Sequence, residues 1–237
     1  ALKIDPLPQN YYDLSLDKLT KETVETVAAL REGAGQDVDI ILEMHRKLTP
    51  MVAIHLAEYM KEFNPMFYED PIQIDSILSQ AEIAKRVSIP VANGERMHSI
   101  WEFRELLSHG GSQYVRPDVG LAGGFTQTKK IAAIAESYHS AVVTHNFLGP
   151  ILTAASVHLD ITIPNFITQE FTMTDETSKY DFIDSGLTRK GGYIMLPHKP
   201  GLGVNINKKM LKNTPYEPLD LNTQVPFRND NSNAFSV

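Results

Sequence analysis

Glu43, Glu69, Glu95, Asp118, His145 and Glu170 follow one another at separations of 26, 26, 23, 27 and 25 residues, each closing a short apolar run. Runs such as Ile40-Ile41-Leu42 and Ala141-Val142-Val143 are rich in β-branched residues and read as buried strands. One polar side chain at a strand end is ordinary; six in phase gather titratable groups at the same end of neighbouring strands. Three of them, Glu43, Glu69 and Glu95, offer only oxygen ligands. Such a set suits Mg²⁺ better than Zn²⁺, and without a cation converging carboxylates would repel and raise one another's pKa. Asp118 and His145 stand on neighbouring strands, where a carboxylate fixes the tautomer of an imidazole and makes it a general base. Alternate residues of a strand point the same way. His45 therefore enters the pocket mouth beside Glu43, a second imidazole able to act on a different atom from His145.

These residues need a scaffold that repeats about every 25 residues, the length of one strand, one helix and two loops. The helical stretches are present. Leu19, Val24, Val27, Ala28 and Leu30 form an apolar stripe over 17–33 that ends at Gly33 and Gly35. Thr49-Pro50 starts a second helix, with a capping residue followed by a proline at the first helical position. Strands alternating with helices at this period predict a parallel sheet, and their regularity predicts a (β/α) barrel of which seven of eight strands are present. In that architecture the C-terminal strand ends line the active site. Residues 1–170 are read as the barrel, strands two to eight. Residues 171–237 are read as a C-terminal segment: a polar loop or lid from Met173 to Arg189, a strand over Gly191 to Pro197, a turn at Pro200 to Gly203 with a short strand after it, and a surface-wrapping tail beyond about Lys212. Gly120, Gly123 and Gly124 lack phosphate-loop spacing and read as a loose βα loop. Trp101 reads as a packing residue on its helix, and His98, His109, His139, His158 and His198 as surface or packing residues outside the site.

Composition narrows the possible partners. The 237 residues carry a formal net charge of −7, which with no dense Lys/Arg cluster argues against nucleic-acid binding. The absence of cysteine excludes disulfides, Cys-ligated zinc and a thiol nucleophile, and fits a cytoplasmic enzyme. No apolar run approaches the ~20 residues of a membrane span, and no membrane partner is expected.

The motifs Glu69-Asp70-Pro71, Asn93-Gly94-Glu95-Arg96, Trp101-Glu102-Phe103, Arg116-Pro117-Asp118 with Gly123-Gly124, His145 with Leu148-Gly149-Pro150, Gln169-Glu170 and Pro200-Gly201-Leu202-Gly203-Val204 occur in an order that resembles the enolase superfamily. The likeness is to its mandelate racemase-like branch, and within it to acid-sugar dehydratases of the galactonate type. It covers about Leu2 to Asn205. The resemblance implies a TIM-type barrel, here without its first strand and its N-terminal capping domain, and a homo-oligomer. It implies Mg²⁺ on Glu43, Glu69 and Glu95, a catalytic dyad of His145 and Asp118, and His45 as the group that protonates a leaving hydroxyl. Glu170 would hydrogen-bond the substrate carboxylate or enediolate, and Lys3 would be a further substrate contact. The implied reaction converts an aldonate such as galactonate or gluconate to a 2-keto-3-deoxy acid. The sequence departs from the pattern at Glu43, where Asp is usual, and at Lys3-Ile4-Asp5, where the racemase branch carries a Lys-x-Lys pair. The alternatives are a racemase, epimerase or cycloisomerase on the same scaffold, or an inactive barrel serving as a binding or structural protein.

Overall fold

The structure, a computed structural model, describes residues 1–171, 182–183 and 187–215. Seven strands alternate with helices: β1 (Leu2–Ile4), α1 (Leu16–Ala34), β2 (Ile40–Glu43), α2 (Pro50–Met60), β3 (Phe67–Glu69), α3 (Ile77–Arg86), β4 (Val91–Asn93), α4 (Ile100–Ser108), β5 (Tyr114–Val115), α5 (Gly124–Ser137), β6 (Ala141–Thr144), α6 (Pro150–Asp160) and β7 (Phe166–Gln169). A hairpin of β8 (Thr188–Lys190) and β9 (Tyr193–Met195) and a short helix α7 (Lys208–Asn213) follow. The chain divides into two compact units. One holds Ala1–Asn93 and Ser108–Tyr114; the other holds Gly94–Leu107 and the described residues from Val115 onward.

In the first unit β1 to β4 are parallel neighbours in chain order, with Lys3 beside Ile41, Glu43 beside Glu69, and Glu69 beside Ala92. All four residues of β2 are buried, as expected of a parallel strand covered on both faces. Ile40, Leu42 and Tyr68 pack with Val27 of α1, Leu56 and Met60 of α2, and Ile83 of α3. Side-chain alternation then sends Ile41, Glu43, Phe67 and Glu69 to the opposite face. The helices begin where their caps dictate. Ser15 and Ser76 accept hydrogen bonds from the backbone N–H groups of Lys18 and Ser79, and Pro50 opens α2, where its missing N–H costs nothing.

In the second unit β6 and β7 pair in parallel, Val142 with Phe166 and Val143 with Thr168. Ile167 is thus an extra residue, a β-bulge. Thr144 pairs with Gln169 beyond it, so the following residues, His145 and Glu170, come level. Asp118 forms an isolated parallel bridge with His145.

Several expectations need correction. Residues 188–190 form a strand and Gly191-Gly192 its turn, so the polar loop ends earlier than expected; most of Met173 to Arg189 lies outside the described residues. Among the described residues no strand follows Gly203; instead Ile206 makes an isolated bridge with Ile183. Helix α7 was not anticipated, and the tail from residue 216 lies outside the described residues. Trp101 is 64% exposed rather than packed, because α4 turns Phe103, Leu106 and Leu107 inward and leaves Trp101 on its outer side.

Candidate active site

Within the first unit the C-terminal ends of β1, β2 and β3 carry two linked clusters. Lys3 lies on the same face as Glu43 and Glu69 but lower on its strand. Its long side chain brings Nζ to 2.9 Å from Glu43 Oε2 and 3.0 Å from Glu69 Oε2. Both carboxylates are buried, and the shared ammonium supplies an opposite charge to each. The second cluster surrounds His45. Glu43 Oε1 accepts the His45 backbone N–H at 2.7 Å, and His45 Nδ1 lies 2.8 Å from Asp5 Oδ2. Lys47 donates to the same Asp5 oxygen, while Asp5 Oδ1 accepts the Leu7 N–H. Burial works against the Asp5 carboxylate, but the hydrogen bonds and charges of His45 and Lys47 hold its pKa below the ordinary value.

His45 and Arg46 both have positive φ, 49° and 62°, a conformation that costs a residue with a Cβ and persists only where the surroundings enforce it. Here Arg46 donates from its backbone to Asp70 O at 2.7 Å and from Nη1 to Asp70 Oδ2 at 2.8 Å. The residue after the β3 carboxylate thereby fixes the turn after the β2 carboxylate.

The second unit gathers Glu95, Asp118, His145 and Glu170. Asp118 Oδ1 accepts the backbone N–H groups of Gly120 and Leu121 at 2.7 and 3.0 Å, and Asp118 Oδ2 lies 2.7 Å from His145 Nδ1. A carboxylate so loaded is an acceptor, which assigns the proton of this pair to Nδ1. His145 Nε2 faces Glu95 Oε2 at 3.5 Å and Glu170 Oε2 at 3.9 Å. Glu170 is anchored in turn: its Oε2 accepts Arg116 Nη2 at 2.8 Å and the Asn146 N–H at 3.0 Å. Arg116 is almost completely buried and also donates to the carbonyls of Val143 and Thr144. Gly94 sets Glu95. Its φ is 132°, and a Cβ there would lie 2.6 Å from Phe103 Cε1 and 3.2 Å from the Arg116 backbone nitrogen.

Seven of the eight residues singled out from the sequence thus stand at or just beyond strand ends, Glu43, His45 and Glu69 in the first unit and Glu95, Asp118, His145 and Glu170 in the second, while Lys3 lies within β1 of the first unit and reaches the rim by its long side chain. Their supporting residues were missed: Asp5, Lys47 and Asn146, together with the role of Arg116. Strand alternation could have found two, since Asp5 follows Lys3 by two positions and Arg116 precedes Asp118 by two. The contacts of Lys47 and Asn146 depend on loop geometry that no spacing reveals.

The family model for the enolase C-terminal domain-like family matches residues 1–210. The chain belongs to that family. Its fold class is therefore the (β/α) TIM-type barrel of the enolase superfamily, as expected from the period of the strand ends. Curated relatives include the D-gluconate/D-galactonate dehydratase of Picrophilus torridus, 33% identical over 93% of this chain and 56% of that protein. Another is the D-galactonate dehydratase of Xanthomonas euvesicatoria pv. vesicatoria, 36% identical over 89% of this chain and 57% of that protein. Among solved structures, an enolase from Agrobacterium radiobacter with Na and L-malate bound superimposes with a TM-score of 0.91 at 26% identity, covering 99% of this chain and 62% of that one. The chain spans little more than half the length of the curated relatives it matches.

Proposed function

We propose that the protein is a Mg²⁺-dependent acid-sugar dehydratase that converts an aldonate, such as galactonate or gluconate, to a 2-keto-3-deoxy acid. The observation that carries this reading is the Asp118–His145 pair, with the outer imidazole nitrogen directed at two further strand-end carboxylates. The names of the curated relatives supply the substrate class.

The residues fit a divalent cation. Glu43 and Glu69 are buried, in register, and already share one positive charge, the Lys3 ammonium. Glu95 follows β4, the next strand, by two residues and is also buried. Three carboxylates form a hard oxygen set suited to Mg²⁺, and Glu43, Glu69 and Glu95 are the residues proposed to hold it. The ion would supply Lewis-acid stabilisation of negative charge developing on the substrate carboxylate.

The chain's own groups do the rest. His145 Nε2 takes the C2 proton while Asp118 holds Nδ1, and Glu170, fixed through Oε2 by Arg116 and the Asn146 N–H, donates a carboxyl O–H to the substrate carboxylate or enediolate. Lys3 adds positive charge at the same end. The electron pair from the C2–H bond moves toward the substrate carboxylate to give an enediolate, from which it returns to form the C2–C3 double bond and expel the 3-hydroxyl. His45 protonates that hydroxyl, which leaves as water, and the resulting enol tautomerises to the 2-keto acid. Dehydration is favoured over racemisation because the structure offers Lys3 no second lysine at the Asp5 position; that position carries a carboxylate turned to His45. We further propose that the protein works in the cytoplasm as a homo-oligomer.

A screen of the intact protein with Mg²⁺ against aldonic and aldaric acids, scored for 2-keto-3-deoxy product, tests this function. At least one acid should be dehydrated; no product from any acid would overturn the reading. Loss of water in the product separates dehydration from epimerisation. His145→Asn should abolish exchange of the C2 proton with solvent deuterium, a loss of ~100-fold or more for removal of a general base.

A further inference from the structure

Asp5 has no place in the reaction just described, and its position calls for one. It lies just beyond β1 and places Oδ2 2.8 Å from His45 Nδ1. The same oxygen takes the Lys47 ammonium, and the other oxygen accepts the Leu7 N–H at 3.1 Å. The carboxylate is thus held from three directions and is not a casual surface partner of the imidazole. The other end of His45 is fixed independently. Its backbone adopts φ 49°, its N–H is tied to Glu43 Oε1, and the following residue is clamped to Asp70. Yet the His45 side chain is 45% exposed, so packing alone does not choose its rotamer. Backbone restraint sets where the ring begins, and Asp5 is the group that decides where it points.

We infer that Asp5 is a positioning residue for the water-loss step: it accepts the His45 Nδ1–H, fixes the ring orientation, and so aims the second ring proton, carried on Nε2 when His45 acts as the acid, at the leaving hydroxyl, with Lys47 bracing the carboxylate. The inference rests on the dehydratase reading, because that reading gives His45 its task. The two dyads then divide the work. Asp118 orients the imidazole that breaks the C2–H bond, and Asp5 orients the one that completes the departure of the 3-hydroxyl. Carboxylate partners of this type fix imidazole orientation and tautomer elsewhere in enzymology.

The division of labour makes the test specific. In the intact protein with Mg²⁺, Asp5→Ala should lower kcat for dehydration by at least about 10-fold. Exchange of the C2 proton with deuterated solvent, which belongs to His145, should stay within about 3-fold of wild type, since the two dyads act on different atoms. Asp5→Asn keeps an oxygen able to accept from Nδ1 and should recover part of the rate. It also serves if Asp5→Ala does not fold. Nitrogen-15 spectra, with the His45 signals identified by their loss in His45→Gln, should show a hydrogen-bonded Nδ1–H in wild type that loses its hydrogen-bonded signature in Asp5→Ala. Dehydration at the wild-type rate in Asp5→Ala, equal losses of exchange and dehydration, or an unchanged His45 Nδ1–H signal would each overturn the inference and leave the dehydratase reading standing. A wild-type protein that dehydrates no sugar acid overturns that reading, and the inference with it.

Discussion

Asp160, the last residue of α6, shows how one buried acid can govern pH dependence away from the site. It is buried; Thr144 Oγ1 donates to Oδ2 at 3.1 Å, and Oδ1 has no hydrogen-bond partner among the described residues. Burial pushes its pKa up to about 8, and the Thr144 hydrogen bond offsets only part of that rise. A carboxyl whose pKa is raised by folding stabilises the fold while it is protonated. Its contribution is complete below the unfolded value near 4 and is lost as pH rises through about 8. Asp160→Asn should therefore match wild type near pH 4, gain on it steadily to pH 8, and then hold a constant advantage on the order of a few kcal/mol. Urea unfolding of both proteins across that range measures the difference. A parallel pH dependence in the two would mean that Asp160 is ionised in the fold.

At the scale of elements, each strand end owes its accuracy to what immediately follows it. Gly94 is the clearest case, because the turn from β4 to Glu95 passes against Phe103 of α4 at a distance no side chain can share. Gly94→Ala should cost about 2 kcal/mol or more through the positive φ and the clash, measured as a lower denaturation midpoint. It should also weaken activity beyond the stability loss, because Glu95 moves with the turn. The period of the strands was legible from the sequence because burial of β2 and its neighbours requires continuous apolar runs, and each run had to end in a polar residue at the sheet's rim. The phase beyond the strand ends was less legible. The bulge at Ile167 shifts Glu170 level with His145, yet a 25-residue spacing looks the same with or without it. The positive φ values of His45, Arg46 and Asp70 fall on residues that carry no glycine-like signal. They are imposed by the Arg46–Asp70 pair across two strands, a tertiary cause invisible to local pattern. The exposure of Trp101 was misjudged for a related reason: its bulk suggested a core position, but the helical phase set by Phe103, Leu106 and Leu107 gives it the outer face.

For the molecule as a whole, composition narrowed the possibilities without identifying one; motif order over about Leu2 to Asn205 pointed to the family, and the family model that matches residues 1–210 shows membership. Among the described residues no helix is long and apolar enough to cross a membrane. What the sequence could not convey was how the acids at the strand ends tolerate one another. Lys3 answers this for Glu43 and Glu69, since one ammonium within 3.0 Å of both carboxylates supplies the opposite charge that burial demands. Folding and the proposed metal loading should therefore be separable events. In small zinc domains the ligands cannot be brought together until the ion arrives, so the metal-free chain is unfolded. Here an internal counter-ion would let the polypeptide assemble first and the proposed ion bind afterwards. Exhaustive chelation should leave a cooperative thermal transition, and Mg²⁺ should then raise its midpoint only by the modest amount set by its affinity and concentration. In Lys3→Met the order should reverse in importance: the chelated protein should melt earlier than wild type, and Mg²⁺ should restore most of the loss. Seen this way, Lys3 is a placeholder built into the strand: if the proposed site takes an ion, its ammonium would let the fold outlast a shortage of metal.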